Sequence, residues 1–331
     1  MTLLRGNSVS YCRFLAVDKP AEILGKIGTF SDIEAGDDFT ESFGACSWRN
    51  LLDGPLDAGS IYGGEFYALG LRMDRKKAPS QLLQATIARE LSDLYTVCPA
   101  GPSKSAIKAV TDEVSLRLNR EASPKPTSGM LVCDTRTGMY LLDGPSGAAA
   151  VLTDLSEFRP LYSDLPEYRE FLAWMAWRGS VKGQRESETV FPMGVCTFKL
   201  PDNSSSASFD GEGIGKLLIH YLARGWNMTR CSFQWEVGGE VYAVTLDAAC
   251  MKTALVFPEE VLKAYPPEGC ENFVEWRLAN RIQFILSFEE SLFREIAEFL
   301  RRQADGSLDP AFLELSEEAE ARAAAPIAVC Q

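Results

Sequence analysis

The chain has 331 residues, 46% of them hydrophobic and 24% charged. That is the balance of an ordinary folded protein, with a length that suits about two or three structural units. The formal net charge of -13 excludes a uniformly basic nucleic-acid glove, because phosphate binding draws on Lys and Arg. Nine cysteines without a C-x-x-C pair and a single histidine, His220, leave no local ligand set for a tetrahedral zinc, so free and mostly buried thiols are expected.

In chain order, residues 8–16 alternate as a strand, a short helix starts at Pro20 and runs to about Thr29, and residues 66–73 form another strand. Arg75-Lys76-Lys77-Ala78-Pro79-Ser80 then changes the texture. Proline is tolerated near a helix start, where its missing N–H would be unpaired, and Leu82, Leu83, Ile87, Leu91 and Leu94 follow at helical spacing, so a helix should end near Tyr95. Residues 98–102 form a break. Ser103 can cap a second helix carrying Ile107, Val110, Val114 and Leu118, which makes an antiparallel helix pair. Residues 123–129 lead into a strand at 130–133, a turn at 134–138, a return strand at 139–142 and a helix at 146–155.

The second half opens with a helix over 166–177, followed by a strand near 190–200, a serine-rich loop at 203–208 and a further helix. Residues 228–237 and 240–246 flank Gly238-Gly239, a strong hairpin signal. Residues 253–257 add an edge, 282–288 read as a strand, and 289–303 as a helix with Leu292, Ile296, Phe299 and Leu300 on one face. From residue 304 the composition becomes acidic and alanine-rich, as in a frayed or disordered tail. The alternation of sheet and helix gives an α+β chain. Its apolar stretches fall far below the ~18 to 20 residues that cross a bilayer, and the amino terminus lacks a basic-then-apolar signal pattern, so a cytoplasmic location and no membrane partner are expected.

Charge is distributed unevenly. Between Arg75 and Lys125 stand nine cations, Arg89 among them, and five anions, Glu90, Asp93, Asp112, Glu113 and Glu121, which makes a basic island in an acidic molecule. Other motifs carry less. Gly211-Glu212-Gly213-Ile214-Gly215-Lys216 has Asp210 where a phosphate loop needs its first glycine and Leu217 where the magnesium-binding hydroxyl belongs, so it is a loop entering a helix. His220 lacks an evident nucleophilic partner, and Phe171, Trp174 and Trp177 step at helical period as core residues do. No nuclease-like cluster of Asp, Glu and His stands out, so no catalytic residue, metal or cofactor is assigned.

Several ordered landmarks together resemble the RdgC family of bacterial recombination-associated proteins. They are Ser47-Trp48, the approach Arg75 to Ser80, Lys108 with Asp112-Glu113-Val114, and Met130-Leu131-Val132 with Tyr140-Leu141-Leu142-Asp143. Further on come Ala223-Arg224-Gly225 through Trp235, the hairpin ending at Val256-Phe257, and Arg281-Ile282-Gln283-Phe284-Ile285-Leu286, similar to the family's last strand. The resemblance implies a horseshoe subunit with a central domain at 1–74 and 129–165, a helical tip at 75–128, a base at 166–303 and an acidic tail at 304–331. It implies a homodimeric ring that holds double-stranded DNA without sequence preference, is nucleoid-associated and opposes a recombinase filament.

The DNA contacts it implies are Arg75, Lys76, Lys77, Lys104, Lys108, Arg117, Arg120 and Lys125 on the tip, and Lys199 on the base. Two departures bear on affinity. Leu118-Asn119-Arg120-Glu121-Ala122-Ser123 replaces a segment that carries an aromatic in the family, and Phe198-Lys199-Leu200-Pro201 keeps one cation of a basic run. The alternative reading is a relative with the same fold that mainly binds a protein partner through its acidic surface and tail.

Overall fold

The computed structural model describes residues 6–15, 20–49, 61–62, 65–98, 101–144, 147–155, 159–160, 166–179, 189–192, 194–202, 204–210, 214–237, 240–248, 252–308 and 312. The chain is a mixed α+β protein built on antiparallel strands. In chain order the elements are β1 (Ser8–Leu15), α1 (Pro20–Ile27), β2 (Glu41–Cys46), β3 (Ile61–Tyr62), β4 (Phe66–Lys76), α2 (Ser80–Val97), α3 (Lys104–Glu121), β5 (Pro124–Asp134), β6 (Met139–Asp143), α4 (Ala148–Leu155) and β7 (Arg159–Pro160). Then follow α5 (Pro166–Trp177), β8 (Thr189–Pro192), β9 (Val195–Lys199), β10 (Ser206–Asp210), α6 (Gly215–Leu222), β11 (Asn227–Val237), β12 (Glu240–Asp247), β13 (Lys252–Val256), α7 (Glu259–Lys263) and α8 (Phe273–Ala304).

The chain forms two compact units. One comprises Met1–Ala16, Thr137–Asp143 and Phe158–Gln331, with strand order β10-β9-β11-β12-β13-β1-β6. Period-2 alternation decides which face is buried: on β12, Tyr242, Val244 and Leu246 point inward while Val241 and Ala243 point out. Against the inward face lies α8, with Phe288 meeting Trp235 and Tyr242 edge-on or tilted, and Phe284 meeting Tyr242 and Phe257. Phe171 and Trp174 of α5 close on Phe299 of α8. The aromatic step in α5 is therefore core.

The strand expected at 282–288 does not exist. Residues 273–304 are one helix, 32 residues long, started by Asn272, whose side chain accepts the Glu275 N–H at 3.2 Å. The similarity of Arg281 to Leu286 to a closing strand is thus one of sequence only. The physical reason is that Ile282, Phe284, Ile285, Leu286 and Phe288 are buried on most faces of the helix. A seven-residue stretch with five apolar residues is too short for periodicity to separate a buried helix from a buried strand. Inside this helix Glu289 is buried with its charge matched: Arg13 Nε donates to one carboxylate oxygen and the Tyr11 hydroxyl to the other, each at 2.5 Å, and Arg13 also donates to Thr253 Oγ1. Burial works against the Arg13 charge, but the Glu289 carboxylate outweighs it and holds the guanidinium above its ordinary value.

The other unit comprises Val17–Arg136 and Gly144–Glu157, with β4 between β5 and β2. Strands β4 and β5 pair along eleven positions, from Phe66 opposite Asp134 to Lys76 opposite Pro124. Leu71, Met73 and Met130 bury on this sheet with Trp48. The polar stretch Asp74-Arg75-Lys76, expected to lie beyond the strand, continues it, because β5 runs alongside in register as far as Pro124 opposite Lys76, and the Lys76 N–H donates to the Thr40 carbonyl at 2.8 Å. From the far end of this ribbon rise α2 and α3.

Candidate nucleic-acid interface

Helices α2 and α3 have 18 residues each, about 27 Å at the helical rise. Gly101 turns the chain between them in the left-handed region, φ 84°, and Ser103 Oγ accepts the Ala106 N–H at 3.2 Å to start α3. At the root, the Asn119 side chain accepts the Ala78 N–H at 2.9 Å, tying the entry of one helix to the exit of the other. The pair has almost no core: α2 buries no residue and α3 buries Val114 alone. Such a hairpin presents most of both helices to solvent.

The cations of this arm do not form one stripe. Lys104 and Lys108 share a face at the turn end of α3, while Arg117 and Arg120 lie about 120–220° round the same helix, near the root. Arg117 is answered by Glu90 on α2 at 3.0 Å, and that hydrogen bond holds its guanidinium above the ordinary value. Lys77 and Lys125 are exposed at the root, and with Lys104 and Lys108 they make no ion pair among the described residues. Roughly 20–25 Å of helix separates the two lysine pairs.

The remaining root cations are taken by an acidic loop. In residues 31–41 Gly36 turns the chain with φ 97°, and the Gly36 N–H donates to the Arg120 carbonyl at 2.8 Å. Asp38 pairs with Arg120 at 3.4 Å, Glu41 with Arg75 at 3.1 Å and Asp32 with Arg72 at 3.1 Å. Lys76 is 4% exposed, and its ammonium donates to the Asp37 carbonyl at 3.0 Å. Lys76 therefore does not belong to the exposed set, which corrects its assignment as a DNA contact. Arg72, over the Phe30 ring, is held above its ordinary value first by its hydrogen bond to Asp74. One signal for this loop was available: Asp32, Glu34, Asp37, Asp38 and Glu41 crowd into ten residues.

Lys199 ends β9 in the other unit, half-buried, opposite Ser206 and Asn227. His220 is exposed on α6 with its ring edge-on to Tyr221. A groove of about 590 Å³ opens on the outer face of β11, β12 and β13, lined by Ser8, Gln234, Val241, Ala254 and Val256 among others, with no titratable side chain among the described residues of its wall. Among the described residues, no three His, Cys, Asp or Glu side chains gather as a metal site, and no helix is long and apolar enough to cross a membrane. No protein-family model matches the chain, and no curated protein matches it.

Proposed function

We propose that this protein binds duplex DNA without sequence preference through the α2–α3 arm, as a homodimer of RdgC-like horseshoe subunits that closes on DNA and opposes recombinase loading at the nucleoid. The observation that carries the reading is the exposed lysine set, Lys104 and Lys108 on a helix pair with almost no core and Lys77 and Lys125 at its root. Lysines met at phosphates carry no sequence information, which suits a non-specific binder. Arg75, Arg117 and Arg120 join them only by exchanging carboxylates for phosphates. The ring, the dimer and the recombinase step rest on the sequence resemblance.

Each phosphate contact contributes about 0.9 to the salt slope of binding on B-DNA. Titration of a fluorescent duplex at several salt concentrations, with Lys104→Glu/Lys108→Glu beside the parent, tests the reading. The double variant is expected to lower the slope by about 1.8 per arm engaged. A flat salt dependence, or a variant that binds as the parent does, overturns it. Light scattering with and without the duplex reports the dimer and its stoichiometry.

A second reading, a protein partner met through the acidic surface, is favoured by the acidic loop that neutralises the arm root and by the net charge of -13. Absence of duplex binding at moderate salt in a folded sample selects it.

A further inference from the structure

We propose that Cys196 and Cys231 form a reversible cross-strand disulfide, a modification site in the β-sheet of the first unit. The pairing of β9 with β11 runs Asn227 to Lys199 and Met228 to Phe198, then shifts at a bulge to Arg230 opposite Thr197. One step further the register brings Cys231 against Cys196, and the bulge turns both thiols into the core. Their sulfurs lie 2.7 Å apart. A covalent S–S bond needs ~2.05 Å, so only a small rotation of the two side chains separates the thiols from the bond.

The two sulfurs are chemically unequal. Burial pushes the Cys231 thiol well up, while the hydrogen bond from Cys231 draws the Cys196 thiol down. Cys196 is also the one beside the edge strand β10, opposite Phe209, so it is the thiol an entering oxidant meets first and the nucleophile, with Cys231 the resolving thiol. With a peroxide as oxidant, the Cys196 thiolate attacks one peroxide oxygen, an S–O bond forms, the O–O bond breaks, and the departing hydroxide takes the proton that Cys196 gave up, leaving as water. The Cys231 sulfur then attacks the sulfenic sulfur, the S–S bond forms, and the expelled hydroxide leaves with the Cys231 proton as a second water. Two thiols lose two electrons and two protons, and one peroxide becomes two waters.

Both cysteines are fully buried, so the oxidant must be small and the cover must open. The cover suits this. Phe209 stands opposite Cys196 on β10, an edge strand whose five residues alternate between exposed and half-buried. A short, solvated edge strand opens locally at far lower cost than the sheet interior. The bond would link positions 35 residues apart, with β10 and α6 between them, and would fix β9, which ends in Lys199, to β11.

The test treats the full chain with hydrogen peroxide, quenches in acid, denatures, alkylates and maps the peptides. The expected product is one linked Cys196–Cys231 peptide pair, two hydrogens lighter than the thiols and restored by dithiothreitol, with a higher melting midpoint for the oxidised protein. Cys231→Ala is expected to leave a Cys196 sulfenic acid that dimedone captures, and Cys196→Ala to leave none at Cys231. The same oxidation in denaturant should scatter linkages over the nine cysteines, showing that the fold directs the pairing. The proposal is overturned if both cysteines stay alkylatable in the folded, peroxide-treated chain, if either pairs with a different cysteine, or if oxidation halts at a sulfinic acid.

Discussion

Helix α8 and the α2–α3 arm are both long and amphipathic in sequence, yet they solve opposite problems. Thirteen residues of α8 are buried, including the charged Arg281, Glu289 and Glu295, whereas the arm's two helices bury a single valine between them. In α8 three charged side chains have been taken out of water along with the apolar ones, so the helix is fixed by packing. In the arm each helix is held chiefly by the other, by one capping serine and by the Asn119 tie at the root. An element with so little packing keeps its place only weakly but leaves its charges available. Packing and exposed charge are thus divided between different helices.

The sharpest way to break the contrast is to unpair a charge inside α8. Replacing Glu289 by Ala strands the buried Arg13 guanidinium and the Tyr11 hydroxyl. The expected cost is about 3–5 kcal/mol, read by urea denaturation, because an uncompensated buried charge loses its partner without regaining water. In the arm, Val114→Ala removes the one buried side chain and is expected to cost about 2 kcal/mol or less. Hydrogen exchange should show that loss confined to the amides of α2 and α3. A global loss of protection after Val114→Ala would mean that the arm is part of the folding core.

These expectations also mark what the sequence made legible. The arm was, because Pro79, Ser103 and the 98–102 break are local signals and the helices between them need nothing distant. The hairpin of β11 and β12 and the aromatic face of α5 were equally readable from their periods. The stretch 282–288 of α8 was not, since five of its seven residues are buried and so short a run does not separate a buried helix from a buried strand. Nor was the fate of Lys76: its burial depends on β5 extending β4 and on a loop some forty positions earlier, and no local pattern reports a partner at that distance. The basic island read from composition is therefore real in sequence but narrower in space.

The acidic loop supplies a subtler test of the arm. Asp38→Asn frees Arg120 from an exposed partner without touching packing, since the Asp38 side chain is largely in solvent. Exposed pairs are worth about 1 kcal/mol or less, so the expected gain in duplex affinity is at most about fivefold, with a steeper salt slope. Unchanged affinity would mean that the arm root takes no part in phosphate contact even when its cation is released.

The smallest effect concerns the end of α8, where its dense packing gives way to solvent. Glu298 accepts hydrogen bonds from Arg301 and Arg302, which draw its carboxyl down from 4.5 to about 2. A carboxylate whose folded value is depressed adds stability that is complete above its unfolded value and disappears as pH falls through its folded value. The contribution should therefore be present above about pH 4.5 and vanish on acidification toward about pH 2. Solvent and salt screen these groups, so the shift is expected as a slight flattening of melting midpoint against pH in Glu298→Gln, weaker still at high salt. If Glu298→Gln instead reproduced the parent's acid limb unchanged, the helix would owe nothing to this exposed cluster even where its core ends.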